Sequence, residues 1–337
     1  MLDDFHYYCT AVIARAAGFS KKESLRLAFA SQYLDDAAEH KPVHVDNLLF
    51  DPVRTAYMGI RSVNWSIQKR VFIPFHFLPE RPLRSPEDTF IVRPNSPFAR
   101  VILSQAAAER RRRFRIIRLG IAVHTFADTW AHQGFSGRHS HENCVRRMET
   151  WEDGQWNYSM LKNVFIKFAP HIGHAEAGLY PDIPYLKWRY EAKHGDGLIT
   201  RDNPQIYLEA SKEIYYFLRS IQPAHKFPLA EWGEIEGKIL AQLSSEERDL
   251  EKRCENWRTE FRSWFEPRPF YYDKYEWRKK ALLTKDSLTD DWRSEVELEA
   301  EGFEKTFLLK KNFYKSDWVL FHRAAMKQRH YVLENLL

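Results

Sequence analysis

Cysteine is nearly missing from this chain, with 3 in 337 residues. Cys9, Cys144 and Cys254 stand far apart and form no C-x-x-C pair. Such an odd, scattered set argues against a disulfide framework and against a thiolate zinc site, so the ligands of any bound metal should be His, Asp and Glu. Glycine (13) and proline (16) are also scarce, which disfavours a turn-rich β architecture. No window reaches about 18 uninterrupted apolar residues, so no transmembrane segment is expected. The start, MLDDFHYYCTAVIARAAGFS, opens with two acids and has neither a basic leading region nor a small-residue cleavage site, unlike a signal peptide. The expected location is therefore cytoplasmic, and export by a route that needs no signal stays open. Strong charge of one sign is lacking too: a formal charge of +5 permits an anionic partner without demanding one.

Aromatics are abundant, at 15% of the residues, with 11 Trp, 16 Tyr and 23 Phe to fill a core. The length suits one large domain or two smaller ones. A helix is expected over 3–18, stopped by Gly18. A second opens on the capping box Ser20–Glu23 and runs to Asp35-Asp36. Residues 37–97 carry eight of the prolines and read as loops that wrap over the rest. Helix is expected again from Phe98 to Gln133, over His141–Glu152 and over Tyr158–Phe168, followed by a polar, irregular 169–185. From the Asn203-Pro204 start the chain reads as helical to its end, with long amphipathic helices at 229–265 and 300–335. The expected fold class is all-α. Residues 1–200 would form a metal-binding domain, with a helical region 201–337 packed on it across a soft boundary that a single domain would also satisfy.

GIAVHTFADTWAHQGFSG (120–137) carries the chemistry. On a helix, His124, Asp128 and His132 form one stripe, with neighbours roughly 6 Å apart and the ends roughly 12 Å apart. Two residues four apart can share an ion, but the outer pair cannot. The spacing therefore suggests Asp128 bridging two ions, with His124 on one and His132 on the other. Ile121, Val123, Phe126 and Trp130 surround the stripe, and a carboxylate buried among them without a counter-charge would cost several kcal/mol. The blander alternative is a pair of satisfied core histidines. Further ligands would have to come from a distance: Asp3, Asp4 and His6 at the start, Asp35 and Asp36, His76 in FIPFHFLPE, and His171, His174 and Asp182 in the irregular segment. The remaining histidines, His141 among them, have less reason to take part. The arginine run 110–118 reads mainly as a solvated helix face.

The motifs Asp4-Phe5-His6-Tyr7-Tyr8, Ser31-Gln32-Tyr33-Leu34-Asp35-Asp36, His124 to Gln133 and GHAEAGLYPD (173–182) resemble those of a bacterial family of unknown function, the one numbered 6765, over roughly residues 1–200. The order of ligands is also similar to that of a wider superfamily, the zinc-dependent bacterial phospholipases C and fungal single-strand nucleases. That resemblance implies an all-helical fold with up to three zinc ions. It places His6 as the early His, Asp35 or Asp36 as the first Asp and His76 as the His of the connecting segment. His124 and Asp128 would be the H-x3-D pair, His132 the following His, and His174 with Glu176 or Asp182 the late pair. The chain departs from the pattern in two respects. Those enzymes use a mature N-terminal amine after signal cleavage, and no cleavage is evident here. Their last His also follows the Asp at a longer interval.

The expected function is a metal-dependent phosphodiesterase with a cluster of two or three Zn2+ ions; Mn2+ or Fe2+ suits the same ligands. The substrate would be a phospholipid head group or a nucleic acid. Whichever of Asp35 and Asp36 is not a ligand could orient water or act as base, and Arg115, Arg118, Tyr7 or Trp130 could hold the substrate. A metalloprotein with purely structural ions is an alternative. Another is a helical module that binds a protein partner through its C-terminal helices.

Overall fold

The computed structural model describes every residue except 40–41, 46–47, 58–59, 86–87, 159–169, 193–196, 224–226, 285–306 and 337. The chain starts with a π-helical segment, Asp4–Cys9, whose residues are all buried; it runs into α1 (Thr10–Ala16). π-Helical turns are rare and often mark functional sites. The Ser20 capping box forms as the sequence predicts: the Glu23 N–H donates to Ser20 Oγ at 3.3 Å, and the Ser20 N–H donates to Glu23 Oε2 at 3.2 Å. It opens α2 (Lys21–Asp36).

The proline-rich stretch is more ordered than loops alone. It holds an antiparallel pair, β1 (Val43–Val45) and β2 (Leu48–Phe50). It also holds a continuous helical stretch made of α3 (Trp65–Ile67), a second π-helical turn (Gln68–Phe72) and α4 (Ile73–Phe75), which ends at His76. The long helix expected over 98–133 is two: α5 (Pro97–Ala107) and α6 (Arg112–Ala131). They part where Arg111 takes an extended ψ of 103°.

α6 is the central element. Its residues from Ile116 to Ala131 are all buried, because α2, α5, α7 (Asn203–Ser220) and α11 (Asp317–Glu334) pack around it. Gly120 sets the approach to α2: a Cβ there would lie 2.2 Å from the Leu27 carbonyl oxygen and 2.7 Å from Ala30 Cβ. The close contact brings the C-terminal end of α2 beside the middle of α6. Two further amphipathic helices, α8 (Trp232–Leu243) and α9 (Leu250–Phe265), replace the single one expected over 229–265. A short α10 (Glu276–Ala281) precedes another strand pair, β7 (Leu282–Thr284) and β8 (Phe307–Leu309), in a region expected to be helical throughout. Core residues of one apolar cluster run from Met1 to Val332.

The all-α expectation is corrected by an antiparallel four-stranded sheet in the order β4 (Gln155–Tyr158), β3 (Val145–Glu152), β5 (Lys187–Ala192), β6 (Leu198–Asp202). With 56% helix and 11% strand the protein is mixed α and β. The His141–Glu152 helix is instead a 3-10 turn (His141–Asn143) followed by β3 (Val145–Glu152). Tyr158 ends β4 (Gln155–Tyr158), and the rest of the helix expected over 158–168 falls outside the described residues. Arg, Met and Glu in β3 favour helix in isolation, but pairing with β4 and β5 overrides that preference. The missed signal was Asp153-Gly154, with φ of 52° and 77°, the two positive values that a tight hairpin turn needs. In β5 (Lys187–Ala192), Trp188 and Tyr190 alternate inward and build a second small core with Phe77, Phe135, Val145 and Met148. The edge strand β6 (Leu198–Asp202) carries Arg201 beneath the end of α6. Among the described residues no helix is long and apolar enough to cross a membrane.

Candidate metal centre

Segments far apart in sequence converge around Asp128. His6 comes from the π-helical start, Asp35 from the last turn of α2, His76 from the end of α4, and His124 and Asp128 from α6. Asp128 Oδ1 lies 3.2 Å from His6 Nε2, while Oδ2 lies 3.1 Å from His124 Nε2 and 3.4 Å from His76 Nδ1. Asp35 Oδ1 is 3.5 Å from His76 Nδ1 and 3.6 Å from His124 Nε2. The His6 and His124 rings stack with centroids 3.7 Å apart.

His132 takes a different place from the one its spacing suggests. It caps α6 with non-helical backbone (φ −96°, ψ 12°), and its Nε2 faces Asp182 Oδ1 at 3.2 Å while its Nδ1 keeps only a 3.7 Å approach to Asp128 Oδ2. His174 Nε2 stands 3.3 Å from Asp182 Oδ2. Three donor sets result: His6, His124 and Asp128; Asp35, His76 and His124; His132, His174 and Asp182. Within each set the ligand atoms lie within 4.8 Å of one another.

Hydrogen bonds on the far sides of the rings decide how well this set suits a cation. His76 Nε2–H donates to the Thr55 carbonyl at 2.8 Å, His132 Nδ1–H to the His76 carbonyl at 2.7 Å, and His174 Nδ1–H to the Gly178 carbonyl at 2.8 Å. A carbonyl only accepts, so in a neutral ring the opposite nitrogen bears a lone pair. All three opposite nitrogens point at carboxylate oxygens 3.2–3.4 Å away. Lone pair against lone pair at that distance calls for positive charge between them, and backbone-anchored imidazoles are the usual support of metal ligands. Burial lowers His6 far below its ordinary value, His124 to about 4, and His174 in the same direction, so these rings are neutral near pH 7. For His76 burial also opposes charge, but the Asp128 and Asp35 carboxylates outweigh it and the net shift is upward. Asp128 and Asp182 are both held well below the carboxylate range: burial works against this, but the facing imidazoles and the Met1 amine prevail. The residues present fit a cluster of divalent ions with N and O ligands.

Met1 is the position the sequence reading missed. Its amino nitrogen is buried 3.2 Å from Asp128 Oδ1 and 3.0 Å from Asp182 Oδ1. Burial opposes its charge, but the carboxylates of Asp128, Asp182 and Asp35 outweigh burial and push it up to about 11. Arg201 was also unforeseen. It is buried and donates to the carbonyls of Trp130 (2.9 Å), Ala131 (2.8 Å) and Gln133 (3.1 Å), so a cation satisfies the C-terminal end of α6 beside His132.

The other candidates lie elsewhere. Asp36 accepts from the Tyr272 hydroxyl at 2.6 Å, and Asp4 pairs with Arg253 at 2.6 Å. Asp3 is pushed up to about 7, by burial first and then by Asp36 and Asp4. Glu176 accepts from the Val145 N–H at 2.6 Å. Arg118 donates to the Gln105 carbonyl at 3.0 Å, Arg115 is half-buried on α6, Tyr7 donates to the Tyr271 carbonyl at 2.9 Å, and Trp130 packs edge-on against Phe126. Asp35, with its side chain 31% exposed, is the most open member of the cluster and marks its solvent side.

The architecture is thus that of a mixed α and β protein with a buried, carboxylate-centred His and Asp cluster. A family model described as a family of unknown function, DUF6765, matches residues 1–336, and the chain belongs to that family. No curated protein and no solved structure matches it.

Proposed function

We propose that the protein is a metal-dependent phosphodiesterase whose cluster holds two or three divalent ions of the zinc type. The observation that carries this reading is Asp128. Its Oδ1 faces His6 and its Oδ2 faces His76, members of two different donor sets that share His124, the arrangement a carboxylate needs to hold ions close together. When bound, such ions supply a nucleophile near neutral pH and polarise a phosphoryl oxygen. The chain's own residues do the rest. The backbone carbonyls of Thr55, His76 and Gly178 orient three imidazoles. The buried helix α6 excludes water from one side of the cluster. Asp35 sits on the solvent side, where it can accept a proton from an attacking water. The order of ligands, similar to that of zinc-dependent phospholipases C and single-strand nucleases, supports the same reaction class. The substrate is then a phospholipid head group or a nucleic acid.

A second reading draws on the same convergence: the ions act as staples that tie the π-helical start, the α4 end and the 174–182 turn to α6. Hydrolysis of a simple aryl phosphodiester by metal-loaded protein separates the two. Turnover abolished by a chelator and restored by zinc or manganese is the expected result. Fully loaded protein without turnover on aryl, lipid or single-stranded substrates would leave the staple reading standing.

A further inference from the structure

The absence of paired cysteines argues against a thiolate metal site, yet the tertiary structure assembles one set of donors that includes sulfur. His141, Cys144 and His171 bring one ligand atom each to within 4.8 Å of one another. Cys144 Sγ lies 3.4 Å from His171 Nδ1 and 3.9 Å from His141 Nδ1. With Zn–S of about 2.3 Å and Zn–N of about 2.0–2.1 Å, a tetrahedral ion places sulfur and nitrogen about 3.5 Å apart, between those two separations. Glu176 stands beside this set without joining it. Its Oε1 contacts His171 Nδ1, and its Oε2 is anchored by the Val145 N–H at 2.6 Å. We infer that His141, Cys144 and His171 form a separate zinc site with one thiolate and two imidazoles.

The surroundings are those of a built site. Cys144 and Glu176 are buried at 4% and 5% exposure, whereas the side chain of His171 is 38% exposed and His141 is exposed. One donor is buried within the fold and two face solvent. The backbone is already pinned: the His171 carbonyl accepts from the Ser140 N–H at 2.9 Å and from Asn143 Nδ2 at 3.1 Å. Two of the three donors are local in sequence, H-x2-C at 141–144. Sulfur with nitrogen favours zinc over manganese or magnesium. The ion would join the start of β3 to the turn that carries His174, holding that ligand of the central cluster in place. The residues named for the central cluster include no cysteine, so the two sites give different signals.

Cobalt substitution tests this directly. Protein loaded with Co2+ under reducing conditions should show near-ultraviolet thiolate-to-cobalt charge transfer. Cys144→Ser and His171→Gln should lose that band and one metal equivalent per chain while keeping the visible cobalt absorption of the central cluster. Asp128→Asn should keep the charge-transfer band. Wild-type protein lacking the band, or Cys144→Ser retaining it, would overturn the site. Alkylation of wild-type Cys144, mapped by peptide mass, gives a readout that needs no variant. Zinc should slow it by about tenfold or more relative to chelated protein, because bound thiolate is withdrawn from reaction. An unchanged rate would also overturn the proposal.

Discussion

Replacing Asp128 by Asn keeps the shape of the side chain and removes its charge. Oδ1 lies 3.2 Å from His6 Nε2 in one donor set and Oδ2 lies 3.4 Å from His76 Nδ1 in the other, so two ions should weaken together. Loss of a partner behind a ligand costs 10–100-fold in metal affinity, and loss of ligand charge should reach at least the upper end, about 100-fold or about 3 kcal/mol at each ion. With an ion at about 100 times its Kd, binding adds about 2.7 kcal/mol to stability, and a 100-fold weakening leaves about 0.4. For two ions the metal-dependent increment should therefore fall by about 4–5 kcal/mol. The assay is urea unfolding of metal-loaded and of chelated protein. Their difference cancels whatever the substitution does to the metal-free fold. Metal analysis should show that the ion of His132, His174 and Asp182 survives. A variant with full metal content and an undiminished increment would refute the sharing of Asp128.

Further expectations rest on single contacts. Gly120→Ala drives a methyl group into the Leu27 carbonyl and should cost about 1–3 kcal/mol in urea unfolding, with weaker metal binding because α2 carries Asp35; unchanged stability would show that the helices part freely. Asp36→Asn should keep both metal content and any activity, since Asp36 faces Tyr272, whereas Asp35→Asn should impair them; equal effects would undo the assignment of Asp35. Buried His322, whose Nδ1 accepts from the Val53 N–H at 3.1 Å, is pushed down to about 4 by burial. Its folded value lies below its unfolded one near 6.5. The stability it protects is thus fully present above pH 6.5 and lost as pH falls through 4, about 3 kcal/mol in all. Chelated His322→Gln should lose that much less between pH 7.5 and 4 than chelated wild type.

Much of the candidate His and Asp cluster was legible from residue types and spacing. A triplet at four-residue steps in an apolar helix demanded carboxylate and imidazole partners from elsewhere, and His6, Asp35, His76, His174 and Asp182 are where the chain brings them together. The choice between Asp35 and Asp36 was not legible. Both end α2, and only the packing of Tyr272 turns Asp36 away. The partner of His132 was not legible either, because helical spacing stops applying where α6 ends and the ring swings toward Asp182. The four-stranded sheet went unread because β3 is written in helix-favouring residues and only Asp153-Gly154 announced the hairpin. That sheet is not incidental to the site: β6 brings Arg201 to the carbonyls at the end of α6.

By itself, then, the sequence determined what is local: the capping box, the buried helix, the His and Asp stripe and the need for a counter-charge. Those follow from periodicity and from the cost of burying a carboxylate. Only the tertiary structure decided which distant donors meet, that Met1 lies among them, and that a lone cysteine meets His141 and His171. Long-range pairing depends on how helices and strands close on one another, as where Gly120 admits the Leu27 backbone, and no spacing along the chain encodes that distance.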